Sequence, residues 1–276
     1  MAMLSVWLER WFTTCPDFLE EMGLLREMLG IRKRWERHRD TWEPHCRRSR
    51  QIVLDAAARC PQRRRAVILG SGWLHDVPLC ELAALFDEVR LVDLFHPRLT
   101  REAVKAYANI RLVAADVTGT LEGVHQSARK RNSPLPCSTP NLFLGEEIDL
   151  AVSLNLLSQL PCMAESYLRK ARSHDEATIA AFGRILVEAH LGYLQKFPGV
   201  VALVSDVSLE WIGPLGQVTA SSGTLYGCEM PYEGESWVWD LVPAGPTRRG
   251  ERLRVVGVVD IKASPARDKS SKCDTK

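Results

Sequence analysis

The chain contains the stretch Ala66-Val67-Ile68-Leu69-Gly70-Ser71-Gly72, in which four consecutive apolar residues lead into a glycine turn. A run that is apolar at every position is typical of a central strand in a parallel sheet, which is covered on both faces. Glycines let the backbone turn sharply and approach a ligand closely. In open α/β sheets, ligands bind outside the carboxyl ends of the strands, so we expect a site at this turn.

Strands and helices alternate after this point. The runs Val89–Leu94 and Ile110–Asp116 predict a second and a third strand. Ile148–Leu154 and Val200–Ser205 predict a fourth and a fifth, and stretches with helical spacing separate them. This order of elements predicts a parallel sheet with right-handed crossovers.

The last strands differ from the rest. Ser236–Val242 and Arg252–Val259 flank a turn that contains proline and glycine. Two strand-like runs joined in this way predict an antiparallel hairpin, which we expect to close the sheet.

The chain before the first strand has only helical spacing. We predict a helix from Pro16-Asp17 to Gly30, a second run ending near Pro44, and a third over Arg48–Ala58. The expected organisation is therefore an N-terminal helical extension or lid over residues 1–62, an α/β domain over residues 63–262, and a polar tail, expected to be disordered, over residues 263–276.

Charge is distributed unevenly along the 276 residues, whose net charge is +2. Residues 1–65 hold 14 basic and 9 acidic residues, and residues 262–276 hold 5 and 2, so the α/β domain is net acidic. We interpret the basic front as a solvated helical face, with an anionic partner as the alternative. An acidic domain argues against a nucleic-acid substrate.

Eight cysteines are scattered without a Cys-x-x-Cys pair or zinc-ligand spacing, so no metal site is expected. We identify no secretory signal and no apolar run long enough to cross a membrane. Together these features favour a reducing cytoplasmic location.

Three groups follow the first three strands in order: the glycine turn, Asp93 and Asp116. A carboxylate at the position of Asp93 can accept hydrogen bonds from both hydroxyls of a ribose. One at Asp116 can meet an adenine amino group. Each feature alone could be a turn or a helix cap, but the three together predict a nucleoside-containing cofactor.

These stretches resemble the successive motifs of the class I S-adenosylmethionine-dependent methyltransferases. The resemblance covers residues 66–261 and is carried by Val67–Gly72, Leu91–Asp93, Ala114–Val117 and Ile148–Pro161. It implies a doubly wound, mostly parallel, Rossmann-like sheet of seven strands with the last strand antiparallel. It also implies S-adenosylmethionine as the cofactor.

The resemblance further implies a role for each matching position. The glycine turn would line the methionine portion, the end of the second strand would hold the ribose, the end of the third would flank the adenine, and the end of the fourth would lie near the transferred methyl. The residues so implied are Gly70, Ser71, Gly72, Asp93, Leu94, Asp116, Val117, Ser153 and Asn155.

The glycine turn departs from the family pattern at two positions. Ile68 stands where the family has an acid, and Leu74 stands where it has a third glycine. A catalytically inactive binding or scaffolding protein is therefore an alternative to an enzyme. An NAD(P)-dependent oxidoreductase is a weaker alternative, because the dinucleotide-binding motif requires a glycine at the position of His75.

The methyl acceptor and a catalytic base cannot be assigned from the sequence. The acidic α/β domain favours a small molecule as acceptor, with a protein as the alternative. Histidines that are candidates for a catalytic role by residue type alone are His75, His96, His125 and His190.

Overall fold

The computed structural model describes Glu9 and residues 11–264. Within these residues, eight strands form one sheet: β1 (Arg65–Leu69), β2 (Glu88–Asp93), β3 (Ile110–Ala114), β4 (Leu150–Leu154), β5 (Val200–Ile212), β6 (Val218–Gly223), β7 (Glu235–Val242) and β8 (Gly250–Val258). The strand order is β3-β2-β1-β4-β5-β8-β7, and β6 pairs with the outer half of β5.

Pairing between β1 and its neighbours fixes the centre of the sheet. β1 is parallel to β2 and to β4, and β5 is parallel to β4. β8 lies antiparallel between β5 and β7. This is a doubly wound, mostly parallel sheet closed by an antiparallel strand. The predicted α/β class with a doubly wound, mostly parallel, Rossmann-like sheet is confirmed, but the sheet has eight strands where seven were expected.

The described helices are α1 (Asp17–Glu21), α2 (Leu24–Arg37), α3 (Arg39–Arg59), α4 (Leu79–Leu85), α5 (Arg98–Val104), α6 (Leu121–Ser127), α7 (Leu160–Ala171) and α8 (Glu176–Leu194). None of these helices is long and apolar enough to cross a bilayer.

Both faces of the sheet are covered, as the continuous apolar strands predict. Ala66 and Ile68 of β1 belong to the core beneath α3 and α4, whereas Val67 and Leu69 belong to the core beneath α8. Because side chains alternate along a strand, one apolar run supplies two hydrophobic cores.

The N-terminal helices differ from their predicted bounds. α2 continues through Gly30, and the chain breaks instead at Gly23, which has a left-handed φ of +91°. α3 continues through Pro44, which costs one backbone hydrogen bond near the start of the helix. The predictions that helices end at Gly30 and near Pro44 were therefore wrong.

The strand β6 was not predicted, and β5 is seven residues longer than the predicted Val200–Ser205. All residues of β6 are exposed, so it carries no apolar alternation that could reveal a strand. The short helix α6 likewise lies in a region whose sequence is irregular.

Helix α3 is part of the main core although it precedes the predicted domain boundary at residue 62. Ile52, Val53, Ala56 and Ala57 are at most 2% exposed and lie in one cluster with residues of the central strands. Of the predicted tail, residues 265–276 lie outside the described residues.

We predict that Ile52→Ala lowers the free energy of unfolding by about 2–5 kcal/mol, because it leaves a cavity between α3 and the sheet. Arg47→Ala, on the exposed face of the same helix, should change it by less than about 0.5 kcal/mol. Urea denaturation of both variants checks this. Equal effects would mean that α3 is not part of the core.

Candidate functional site

A cavity opens at the carboxyl ends of β1, β2 and β4, where the sequence predicts a site. The sheet side of the cavity is lined by Gly70, Gly72, Trp73, His75, Asp76, Val92, Asp93, Leu94, Phe95, Ala115, Asp116, Val117, Thr118, Leu154, Asn155, Leu156 and Trp239. Its opposite side is lined by Leu24, Glu27, Met28 and Ile31 of α2, Trp42, His45 and Cys46 of α3, Leu121 of α6, and Gln159, Leu160 and Met163 around the start of α7.

The glycine turn brings backbone to the cavity surface. Gly70 has a φ of +84°, and a Cβ atom there would lie 2.8 Å from the carbonyl oxygen of Leu154. Gly72 has a φ of +46°, and a Cβ there would meet nothing within 4 Å. Gly70 is therefore required by the approach of β4, whereas Gly72 leaves open space beside the cavity. Ser71 between them is fully buried and does not line the cavity.

Asp93 joins the end of β2 to the glycine turn. The backbone N–H of Gly72 donates to Oδ2 of Asp93 at 2.8 Å, and the N–H of Leu94 donates to Oδ1 at 2.8 Å. Each oxygen keeps a second acceptor position, so this carboxylate can still receive two hydroxyl groups. Burial raises the pKa of Asp93.

Asp116 shapes the turn that follows β3. Its Oδ1 accepts from the N–H and the hydroxyl of Thr118, and its Oδ2 accepts from the N–H groups of Thr120 and Leu121. These four hydrogen bonds occupy the acceptor positions of the carboxylate. Asp116 thus holds the backbone of Val117 and Thr118 against the cavity.

The two predicted residues at the end of β4 have different surroundings. The hydroxyl of Ser153 lies 2.9 Å from Nε2 of His190, and both residues are fully buried away from the cavity. Asn155 lines the cavity and adopts a left-handed φ of +49°, a conformation that asparagine tolerates better than most residues. The structure thus brings Gly70, Gly72, Asp93 and Asn155 together, and it places Leu94, Asp116 and Val117 at the same cavity. Ser71 and Ser153 are buried behind the cavity wall and do not line it.

A polar cluster of three elements meets at Asn155. Its amide Nδ2 donates to Oδ2 of Asp76 at 2.6 Å and lies 3.1 Å from Nε2 of His45. The indole N–H of Trp237 donates to Nδ1 of His45 at 3.1 Å. Burial raises the pKa of Asp76 to about 6 and lowers the pKa of His45 to about 3, so the imidazole is neutral at pH 7.

The protonation of Asp76 is coupled to the orientation of this amide. An indole can only donate, so the one proton of neutral His45 lies on Nε2. If the Asn155 amide were rotated by 180°, its oxygen would accept a hydrogen bond from Nε2–H of His45. The same oxygen would then face Asp76 and accept a hydrogen bond from its protonated carboxyl group. In the orientation of the structure, the amide nitrogen faces Asp76, which suits the ionised carboxylate, but it also faces the Nε2–H donor of His45. Oδ1 of Asn155 then is buried and has no hydrogen-bond partner among the described residues.

Helix α2 is fastened to the glycine turn by aromatic contacts. The ring of Trp35 stacks on His75 with centroids 4.0 Å apart, and the indole N–H of Trp73 donates to the carbonyl of Met28 at 3.0 Å. The guanidinium of Arg32 lies over both Trp35 and Trp73. These contacts place α2 over the cavity.

The charged side chains that line the cavity are acidic. Four carboxylic acids line it, namely Glu27, Asp76, Asp93 and Asp116, and of these Glu27 pairs with Arg34 at 2.6 Å. No lysine or arginine of the described chain does. Burial also lowers the pKa of His75 to about 3, so neither lining histidine supplies a positive charge at pH 7.

The departures at the glycine turn have distinct consequences. Ile68 is fully buried in the core and supplies no carboxylate to the cavity. Leu74 has a φ of +64°, which costs a leucine about 1–2 kcal/mol. The turn therefore keeps a glycine-like backbone at the position of the missing third glycine.

Sequence reasoning missed His45 and Asp76. An acid four residues after Gly72 was a local signal that could have drawn attention to Asp76. No local signal exists for His45, because it lies 110 residues from Asn155 along the chain. Of the candidate histidines, only His75 lines the cavity, while His125 bonds Glu21 of α1. Within the described ranges, no cluster of side chains is suited to hold a metal ion.

Comparisons with known proteins give structural likeness only. No protein-family model and no curated protein matches the chain. A Burkholderia thailandensis 1,6-didemethyltoxoflavin N1-methyltransferase, solved with bound 1,6-didemethyltoxoflavin and S-adenosylhomocysteine, is 11% identical with a TM-score of 0.40, over 90% of this chain and 92% of that one.

Two further solved structures are similar to this chain at lower TM-scores. The N-methyltransferase NodS of Bradyrhizobium japonicum, solved with S-adenosylhomocysteine, is 13% identical with a TM-score of 0.33, over 76% of this chain and 85% of that one. A Streptococcus thermophilus rRNA methylase is 11% identical with a TM-score of 0.30, over 75% and 93%. The fold assignment therefore rests on strand order and pairing.

We predict that Asp76→Asn becomes more stable relative to the wild type as pH rises. The pKa of Asp76 is about 6 in the folded state against 3.8 for the free side chain, so the folded state holds the proton more tightly between these values. The wild type should thus lose on the order of 1–3 kcal/mol relative to the variant between about pH 4 and pH 7. Denaturation at a series of pH values measures this.

The control for this series is Asp87→Asn, which removes an exposed carboxylate at the other end of β2. Its difference from the wild type should stay nearly constant over the same range. A constant difference for Asp76→Asn as well would show that Asp76 has no raised pKa.

Proposed function

We propose that this protein is an S-adenosylmethionine-dependent methyltransferase that acts on a small molecule. One observation, made at the edge of the sheet where such folds bind ligands, carries the proposal. A cavity beside the glycine turn is lined by four acidic side chains and by no basic side chain of the described residues.

This charge pattern matches the chemistry of the cofactor. S-adenosylmethionine has a sulfonium, an ammonium and one carboxylate, so its net charge is +1 at neutral pH. A buried carboxylate is costly unless it is paired or hydrogen-bonded, and a cationic ligand pairs it. Burial raises the pKa values of Asp76 and Asp93, so a cationic ligand beside them would stabilise their ionised forms.

The site residues fit a nucleoside at the end of β2. Asp93 has two acceptor positions left for ribose hydroxyls, and open space lies over Gly72. Leu94 and the backbone of Val117 would flank the adenine, while Asp116 fixes the turn that carries Val117. Asn155 would lie near the transferred methyl. Ser71 and Ser153 would support the glycine turn and β4 from below.

Bound S-adenosylmethionine supplies a methyl group on a sulfonium, so the protein's task is chiefly to align the acceptor with it. No catalytic base is required by this proposal. The acceptor would enter between the sheet and helices α2 and α3, whose side chains line the cavity. That arrangement favours a small molecule over a macromolecule.

The same observation weighs against a dinucleotide cofactor. NAD(P) carries a negatively charged pyrophosphate that would lie at the glycine turn. There Asp76 lines the cavity, and no basic residue of the described cavity wall would neutralise the pyrophosphate. A scaffolding protein without a cofactor does not need this acidic cavity. It would also gain nothing from the strained backbone of Leu74.

We predict that S-adenosylhomocysteine binds the wild-type protein and that Asp93→Asn weakens binding at least tenfold. The amide would keep one acceptor oxygen but place a donor where a ribose hydroxyl needs an acceptor. Isothermal titration calorimetry measures both affinities, and a tenfold loss corresponds to about 1.4 kcal/mol.

Asp87→Asn, at the opposite end of β2, serves as the matched control and should bind like the wild type. NAD should give no heat of binding. A folded wild-type protein that binds NAD but not S-adenosylhomocysteine, or binds neither, would refute the proposal.

A further inference from the structure

We infer that strand β6 pairs with the same strand of a second copy of this chain. Along one edge β6 pairs with β5, and it pairs with no other strand of the described residues. Every residue of β6 is exposed. An exposed edge strand presents a row of backbone N–H and C=O groups that can pair with a strand of another chain.

The position of β6 leaves this edge accessible. β4 pairs with β5 as far as Val204, whereas β6 pairs with the same side of β5 from Ser208 to Ile212. β8 occupies the other side of β5 over this length. β6 therefore continues the row of β4 beyond the parallel strands, on a hairpin with β5 whose turn residue Leu215 is 92% exposed.

Hydrogen bonds at the two ends of the hairpin show how the ladder alternates. The N–H of Gly213 donates to the carbonyl of Gln217, and the N–H of Thr224 donates to the carbonyl of Val207. Hydrogen-bonded and non-hydrogen-bonded pairs alternate in an antiparallel ladder. The odd-numbered residues of β5 are therefore the ones whose backbone groups face β6.

The register then identifies the backbone groups on the open edge. Ala220 and Ser222 stand opposite odd-numbered residues of β5 and are hydrogen-bonded to it. The backbone groups of Ser221 and Gly223 point the other way, to the open edge. A bulge opposite Trp211 interrupts only the start of β6, so residues 220–223 keep a regular register.

The composition of the hairpin favours pairing between identical strands. Residues 213–228 contain no charged residue, although 25% of the chain is charged. Edge strands that avoid pairing commonly carry lysine or proline, and β6 carries neither. A two-fold axis sets residues opposite their own copies, so a charge near the axis would meet a like charge. An uncharged strand is free of this repulsion, and it offers no charge to attract a different partner.

The open backbone groups also define the register between the two copies. With Ser222 on the two-fold axis, Ser221 of one copy stands opposite Gly223 of the other. Each such pair exchanges both of its N–H···O hydrogen bonds. Ser222 then faces its own copy as a non-hydrogen-bonded pair, in which the side chains are closest.

Charges placed at Ser222 test the inference by sedimentation equilibrium. The mass of the wild type should rise from that of a monomer towards that of a dimer between about 1 and 200 µM, as mass action requires. Ser222→Lys and Ser222→Glu should each weaken self-association about fivefold or more, because like charges meet at the axis. An equimolar mixture of the two variants should associate again, because opposite charges then face each other.

Substitutions at Ser221 test the backbone pairing itself. Ser221→Pro removes an N–H on the open edge and leaves the ladder with β5 intact, a position that proline tolerates in edge strands. This variant should stay monomeric, whereas the control Ser221→Ala keeps the N–H and should associate like the wild type. Thermal denaturation shows whether each variant is folded, and if Ser221→Pro is not, the Ser222 variants decide.

A wild type that remains monomeric at the highest concentration would overturn the inference, and β6 would then be open to a strand of another protein. Association that none of these variants weakens would overturn it as well, because the copies would meet elsewhere. Failure of the mixed Ser222 variants to associate would contradict the pairing of β6 with its own copy.

Discussion

The parallel pairing of β1 with both β2 and β4 is the constraint on which the site depends. Parallel strands end at the same edge of a sheet, so the glycine turn, Asp93 and Asn155 meet although they are far apart in sequence. β4 approaches the glycine turn so closely that Gly70 has no room for a side chain, because a Cβ atom there would collide with the carbonyl of Leu154. The hydrogen bond from Gly72 to Asp93 then fixes the turn against β2.

The cavity that results holds two buried carboxylates, Asp76 and Asp93, that have no ion-pair partner among the described residues. Proteins rarely bury carboxylates in this way, and such groups with raised pKa values concentrate at functional sites. Helices α2 and α3 contribute apolar and aromatic side chains, among them Leu24, Met28 and Trp42, to the wall of the same cavity. These carboxylates favour a positively charged ligand, and they lie at the edge of the sheet where open α/β folds bind ligands.

The sequence predicted the parts of the molecule that obey local rules. Apolar runs located the strands of the main sheet, and their ends located Asp93. It could not predict β6, whose residues are all exposed, nor the contact of His45 with Asn155, which depends on the packing of α3 on the sheet. Ser153 shows a further limit: its hydroxyl faces His190, whereas Leu154 points to the opposite face of β4. Asn155 follows the last residue of the strand and lines the cavity with a left-handed backbone, which the strand pattern could not predict.

A crystal structure of the protein with S-adenosylhomocysteine tests the central claim most directly. The account predicts ribose hydroxyls within hydrogen-bond distance of both Asp93 oxygens and the adenine beside Val117. A ligand bound outside this cavity would contradict the account. So would a ligand that enters it in the reverse direction, with the adenine at Asp76.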